Sequence, residues 1–472
     1  MSDNNLLSQK QILKSPVEHL TKTGADPFVI ETVQQLNEQY KKLRSTQKKQ
    51  KEHVNLFSRK IGEAKKNGKS IDELKKQAQD YNHELKNILL QLSLLEKQIL
   101  SHFHLDDINK KQSTNQNYNW DRNYPLKSSE DITIHELYTN TKAWDDYVNK
   151  NNSASIYHLS FWREFIQKTF GHDSHYLYAK DNKHNIVGVL PVIHLKSRLF
   201  GDFLISMPYF NYGGAIGDHP DIETALIKAA NTYAKKIKTQ YAEYRETVER
   251  SGMPSKTEKV SMMLKLPESY EALWKQFTPK LRAQIKRPVR EDHQILIGKQ
   301  ELLTDFYAVF AENMRDLGTP VYSIKMFSNI LKVIPEHANI LIVKHQGVAV
   351  SAAFLIGFKG ILEIPWASTL RKVNHLSMNM LMYSEVLKFA VNSGYNYFDF
   401  GRSSKDAGTY KFKKQWNAKA RPMYWNYCLP DGHGLPELNP NNPKFKLVIS
   451  IWRRIPVFIT RILGPRIVKN LP

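Results

Sequence analysis

Cysteine is nearly absent: Cys428 is the only one in 472 residues. That excludes an intrachain disulfide framework and a multi-cysteine metal site, and it fits a reducing compartment. Metal-ligand spacing is lacking too. His158, His172 and His175 have no acidic or thiol partners at a convincing interval, so they read as structural and no metal is expected. No stretch of 18 uncharged apolar residues occurs, so no transmembrane helix is expected. The opening MSDNNLLSQK holds no apolar signal-peptide core. Acidic residues are in short supply, with 46 Asp+Glu against 68 Lys+Arg and a net charge of +22. Such an excess speaks to partners: nucleic acid, an anionic membrane surface or acidic substrates. What is present excludes a disordered chain, since 41% of residues are hydrophobic and 11% aromatic. At ~150 residues per domain, the length suggests about three domains.

The clearest periodicity lies in residues 34–104. One series runs Leu36, Tyr40, Leu43, Gln47, Gln50, Val54, Phe57, Ile61, Ala64, and a second runs Ile71, Leu74, Ala78, Tyr81, Leu85, Ile88, Leu92, Leu95, Ile99. Steps of three and four sustained this long make a coiled-coil seam. Gly68 marks a turn between the series, and Ser70 with Glu73 forms a capping box for the second helix. An antiparallel helical hairpin follows. From Lys41 to Lys69 its first helix carries eleven Lys/Arg and only Glu52 and Glu63. That pattern suits either a solvated face or an arm laid along a phosphate backbone.

The motif Asn55-Leu56-Phe57-Ser58-Arg59-Lys60-Ile61-Gly62-Glu63-Ala64-Lys65, with Asn4–Leu7 and Leu43-Arg44 before it, resembles the N-terminal arm of seryl-tRNA synthetases. In that family the arm grips the long variable arm of serine tRNA. The resemblance implies tRNA contacts at Lys48, Lys49, Lys51, Asn55, Arg59, Lys60, Lys65 and Lys66. The synthetase's catalytic domain does not follow, so aminoacylation is not implied.

Residues 105–130 are polar and read as a linker. Beyond them strand and helix patterns alternate in two runs of similar order, at 131–264 and 265–430. This suggests a duplicated α/β domain with a basic bridge, Lys265–Arg290, at the junction. Arg282 and Lys286 fall i, i+4 on a helix there, suited to a tRNA or pyrophosphate contact or to a charged interdomain face. Residues 431–472 form a basic amphipathic tail. Its stretch 444–472 has seven basic and no acidic residues together with Trp452, and it reads as an interfacial anchor or as a tail packed on the body.

The second run carries Tyr397-Phe398-Asp399-Phe400-Gly401-Arg402 and then Gly408-Thr409-Tyr410-Lys411-Phe412-Lys413-Lys414-Gln415-Trp416. With Lys196–Gly201, Tyr212-Gly213-Gly214 and Asn313–Val321, these residues resemble the FemAB family over roughly 131–472, nearest the branch beside exosortase and exopolysaccharide clusters. The resemblance implies an α+β chain: the N-terminal coiled-coil hairpin (1–104), then two tandem GNAT-like domains. It implies an aminoacyltransferase with aminoacyl-tRNA as donor substrate and no other cofactor. Lys413 would stabilise the oxyanion or the leaving group, packed by Phe412. Asp399 would take or orient the amine proton, or else be a turn carboxylate paired with Arg402. Arg402, Lys411, Lys196, Arg198, Tyr212 and Gly213 would hold substrate, the Tyr212–Gly214 loop by letting backbone amides approach a phosphate.

The expected function is transfer of an amino acid, serine if the arm sets the choice, to an amine of an envelope precursor. The acceptor would be an amino sugar of a surface polysaccharide or a peptidoglycan side chain, met in the cytoplasm at the inner face of the membrane. An acyl-CoA-dependent N-acyltransferase competes with this reading. That chemistry wants a glycine-containing pyrophosphate loop, which the stretch Arg371–Leu376 lacks. A non-catalytic tRNA-binding protein is the third alternative.

Overall fold

The chain forms two units, residues 1–111 and 112–472. The computed structural model describes residues 15–22, 27–66, most of 71–99, 122, 124–125, 131–197, 200–405, 407–436 and 443–471.

In the first unit one helix spans Pro27–Lys66. Every residue of the expected inward series from Leu36 to Ala64 is at least half-buried, as is every residue of the second series from Ile71 to Ile99. The two helical stretches run antiparallel. Phe57 stacks on Tyr81 at 5.2 Å, Gln50 bonds to Glu84, and Tyr40 shares a buried cluster with Leu92 and Ile99. The Gly68 turn and the Ser70 cap lie outside the described residues.

The second unit is built on two sheets. Its strands are β1 (Thr133–Glu136), β2 (Asp173–Lys180), β3 (Ile186–Ser197), β4 (Gly201–Ile205), β5 (Ile216–Gly217), β6 (Tyr241–Glu246), β7 (Ser255–Lys256), β8 (Lys259–Lys265), β9 (His293–Gly298), β10 (Ala338–His345), β11 (Val348–Phe358), β12 (Ile361–Thr369), β13 (Tyr397–Ser404), β14 (Lys419–Pro422) and β15 (Tyr424–Cys428). The first sheet runs β1-β2-β3-β4-β6-β15-β7, with β5 on β3, and the second runs β14-β8-β13-β12-β11-β10-β9.

The duplication read from the sequence is present in the topology. Each half has an edge strand, two helices, a three-stranded antiparallel meander, one long helix, and a strand returning parallel to the last of the meander. The long helices are Pro220–Ile237 and Met378–Asn392, and the parallel pairs are β4 with β6 and β12 with β13. The junction differs from the expected boundary at 264/265. Strand β8 precedes it but lies in the second sheet, between β13 and β14, while β15 follows the second half and lies in the first sheet beside β6. The halves exchange strands, so each sheet is completed by the other half's chain. The segment expected as a linker is tied down at its end: Arg122 Nη1 lies 3.2 Å from Glu223, and the Tyr124 hydroxyl donates to the same carboxylate at 3.1 Å.

The tail packs on the body. In the helix Val457–Val468, Gly464 approaches the Val321 backbone so closely that a Cβ would sit 2.7 Å from its nitrogen. His172 and the Tyr209 hydroxyl both bond to the Lys469 carbonyl. His158 bonds to the Gly214 carbonyl and is held down at about 4 by burial, while His175 bonds to Glu136 and Tyr233. All three histidines have fold-holding roles. No cluster of metal-binding side chains occurs among the described residues.

Candidate active site

The parallel strands β12 and β13 pair at only three positions, Ile361↔Tyr397, Leu362↔Phe398 and Glu363↔Asp399, and then part. The cause is local. Gly401 adopts φ +75°, a left-handed backbone that favours glycine, and the pairing of β13 with β8 shifts register between Asp399 and Arg402. The strand therefore turns away from β12 and opens a wedge whose floor carries two carboxyl groups.

Both are buried and fully engaged. Asp399 Oδ1 accepts from Ser261 Oγ at 2.5 Å and from the Gly401 amide at 2.8 Å, and its Oδ2 accepts from the Tyr212 hydroxyl at 2.6 Å. Glu363 accepts from the Tyr157 hydroxyl at 2.6 Å and from Asn211 Nδ2 at 3.0 Å. Burial, and then the Asp399 charge, push Glu363 up to about 8. Burial also raises Asp399, against the pull of its three hydrogen bonds and of Lys413. Two neighbouring carboxyls in a dry site do not both ionise at neutral pH, so the pair holds one proton.

Lys413 closes the wedge from the short helix Gly408–Lys414. Its side chain is buried and donates to the Gly401 carbonyl at 3.0 Å and the Arg402 carbonyl at 2.9 Å. An ammonium has three donors, so one remains for a substrate. Burial lowers Lys413 to about 8, opposed by the Asp399 charge. Phe412 packs on Tyr383 at 5.1 Å and on Trp416 at 6.4 Å, anchoring the helix that presents the lysine. Lys411 and Lys414 are exposed, so the solvated basic loop describes them and not Lys413.

The other expected residues divide. Tyr212 reaches the site but spends its hydroxyl on Asp399, which makes it a positioning residue. The Gly213 and Gly214 amides both donate to the Arg245 carbonyl, at 3.2 and 3.0 Å. That corrects the idea of a loop offering free amides to a phosphate; its glycines instead permit close approach, since a Cβ on Gly213 would meet Met207 at 2.5 Å. Asp399 is not paired with Arg402, whose guanidinium lies over Trp425 at 4.8 Å. Lys196 is exposed at the end of β3, and Arg198 lies outside the described residues. Arg282 and Lys286 do share a helix, Pro279–Val289, where Lys286 is exposed and Arg282 half-buried. In the separate N-terminal unit Lys48, Lys49, Lys51, Asn55, Arg59 and Lys60 are all exposed, and the side chains of Lys65 and Lys66 lie outside the described residues.

Glu363 was not visible as a site residue in the sequence. The available signal was a lone acid within the apolar run Ile361-Leu362-Glu363-Ile364. It has a measurable consequence. The unfolded chain releases the Glu363 proton near 4.5 and the folded chain near 8, so stability falls as pH rises through that window. Lys413, lowered from 10.5 to about 8, acts in the next window, where stability rises with pH. Glu363→Gln is expected to remove the first slope and keep the second. Between pH 5 and 8 the wild-type melting temperature should fall by roughly 5 °C more than that of the variant, measured by calorimetry.

Residues 2–104 match the family described as seryl-tRNA synthetase N-terminal domain, and residues 279–414 match the acetyltransferase (GNAT) domain family. No curated protein matches the chain. Among solved structures, the crystal structure of FemX has a TM-score of 0.50 at 14% identity, covering 67% of this chain and all of that one. The C-terminal domain of a putative lysylphosphatidylglycerol synthetase from Agrobacterium fabrum has a TM-score of 0.42 at 10% identity, covering 61% of this chain and 90% of that one. The first of these shows the fold: after the helical arm, the body consists of two GNAT-like domains.

Proposed function

We propose that this protein transfers an aminoacyl group from tRNA to an amine, forming an amide. The observation that carries the reading is the joining, in one chain, of a seryl-tRNA-synthetase-type arm to a body with the two-domain fold of FemX. In the transfer, the amine nitrogen attacks the ester carbonyl and a tetrahedral oxyanion forms. The C–N bond is made and the bond to the tRNA 3′ oxygen breaks. The free N–H of Lys413 serves the oxyanion and then the departing oxygen. The Asp399–Glu363 pair, with room for one more proton, takes the proton the amine loses. The arm's likeness favours serine as the amino acid, and the FemAB likeness favours an amine on a polysaccharide or peptidoglycan precursor. Incubation of the full chain with [14C]Ser-tRNA and amino-sugar or lysine-containing acceptors tests this. Label in an acid-stable amide supports it, and no transfer to any amine with no tRNA retained overturns it.

The match to the acetyltransferase family favours a second reading, an acyl-CoA donor. The stretch where a pyrophosphate loop is wanted, Arg371–Leu376, is a 3-10 helix without glycine. Thermal stabilisation by CoA and not by charged tRNA would favour the acyl-CoA donor.

The acceptor surface is the membrane's inner face in this proposal. No helix among the described residues is long and apolar enough to cross a membrane. The packed tail nevertheless leaves Val448, Ile451, Phe458, Ile462 and Leu463 exposed, Phe458 by 65% and Ile462 by 59%, beside Arg453, Arg454, Arg461 and Arg466. An apolar face rimmed by arginine suits an anionic leaflet. Phe458→Asp with Ile462→Asp is expected to cut partitioning onto phosphatidylglycerol-containing vesicles by about tenfold or more. Wild-type binding to pure phosphatidylcholine should already be weak. Equal sedimentation of wild type and variant would end the anchor reading.

A further inference from the structure

Two guanidiniums from different sheets share one indole. Arg245, on β6, places its Cζ 4.4 Å from the Trp425 ring centroid, and Arg402, on β13, places its own at 4.8 Å. Arg245 is only 2% exposed. Its Nε donates to Glu243 at 2.8 Å and its Nη1 to the Phe210 carbonyl at 2.8 Å. Its Nη2 is buried with no partner among the described residues, and so is the indole Nε1 of Trp425. Glu243 is occupied on its other oxygen by the Tyr427 hydroxyl at 2.7 Å. Arg402 as a whole residue is exposed, but its guanidinium is not freely solvated: burial, and then the Arg245 charge, lower it to about 10, and among the described residues it stacks on Trp425. Tyr322 stands by the same cations: burial pushes its phenol up to about 12, and the Arg402 and Arg245 charges pull against that.

A buried unpartnered guanidinium nitrogen beside a second arginine and an unpartnered indole N–H lacks an anionic acceptor. Glu243 is bonded to Arg245 and reaches Arg402 only through its charge. The arginine fork matches a tetrahedral oxyanion with paired oxygens.

We propose that Arg245 Nη2, the Arg402 fork and Trp425 Nε1 form a subsite for a phosphoryl group of a substrate. The location ties it to transfer, because the Arg402 carbonyl is bonded to Lys413 Nζ and Asp399 lies three residues earlier on β13. The naming of the phosphate's source rests on the proposed transfer reaction, and it has two candidates: a phosphate or diphosphate on the acceptor, or the last phosphodiesters of the RNA donor.

Calorimetric titration of the full chain with inorganic pyrophosphate at fixed ionic strength tests the subsite. Arg402→Gln is expected to weaken binding by about tenfold or more, and Trp425→Phe, which keeps a stacking ring but loses the N–H, by about threefold. Lys235→Gln, exposed near the end of the helix Pro220–Ile237 and outside the subsite, should change nothing. Displacement by a CCA trinucleotide, sensitive to Arg402→Gln, assigns the subsite to the donor; displacement by a nucleoside-diphosphate sugar assigns it to the acceptor. Pyrophosphate binding that is equal in wild type, Arg402→Gln and Trp425→Phe reflects the general basic surface and overturns the subsite. Arg402-dependent binding in a protein that transfers nothing keeps the subsite and removes the transfer reading. Transfer without such binding does the reverse.

Discussion

Replacing Lys413 with methionine is expected to lower the single-turnover rate of aminoacyl transfer by about 10³-fold, leaving the affinity for charged tRNA within a factor of about 2. The arrangement gives the reason. Lys413 is buried, and two of its three protons are held by the Gly401 and Arg402 carbonyls. Those bonds fix the third in one place, and in the proposed transfer it serves the charge that develops on the carbonyl oxygen and then on the departing 3′ oxygen. Methionine keeps the length and the packing but supplies no donor. It also leaves two carbonyls short of a partner, at about 1–3 kcal/mol, so the melting temperature is measured alongside the rate. A variant that melts lower but transfers at the wild-type rate would remove Lys413 from the chemistry. Lys414→Met is the control, one residue on and exposed. The pH profile separates a chemical role from a structural one. With Lys413 at about 8, the wild-type rate should decline above that pH as the donor loses its proton, and the methionine variant should lack that decline.

The sequence shows this lysine but not the carboxyl it works beside, and the reason is physical. Periodicity reports burial of apolar side chains, so it locates the alternating strand and helix patterns of the body and both inward series of the arm. It fails where polar residues are buried in pairs. Strand β6 reads Tyr-Ala-Glu-Tyr-Arg-Glu, which looks like surface. Yet Glu243, Arg245 and Glu246 are each under 4% exposed, held by one another and by Arg250, Asn426 and Tyr427. Strand β15 supplies two of those partners from about 180 residues later in the chain. No local pattern announces such an exchange, and the expected boundary at 264/265 missed it for the same reason. Likewise Glu363 and Asp399 are adjacent only because β12 and β13 run parallel in register.

Changing Lys48, Lys49, Lys51, Arg59 and Lys60 together to glutamine is expected to weaken tRNA binding by about 10³-fold at 0.15 M salt, and to reduce the salt slope of log K by about 3.5 to 4.5. All five are exposed on the helix Pro27–Lys66, away from the buried series that faces the second helix. Their loss therefore removes charge without removing packing, and helicity and melting temperature should hold. Five phosphate contacts each release a counterion, so affinity and slope must move together. A loss of affinity with an unchanged slope would point to a folding defect and not to phosphate contact. Neutralising Lys235 and Lys236, equally exposed but on the helix Pro220–Ile237 of the body, should shift neither quantity by more than a small fraction if the arm is the gripping element. The same experiment decides the amino acid. An arm of seryl-tRNA-synthetase type gains its selectivity from reaching a long variable arm, so wild-type protein should prefer serine tRNA over a tRNA with a short one, and the five-fold variant should lose that preference along with the affinity. Equal binding of both tRNAs by wild type, with a full salt slope, would leave the arm as a general tRNA grip and withdraw serine. The catalytic argument for Lys413 would stand unchanged, because it depends on the ester carbonyl and not on which side chain the ester carries.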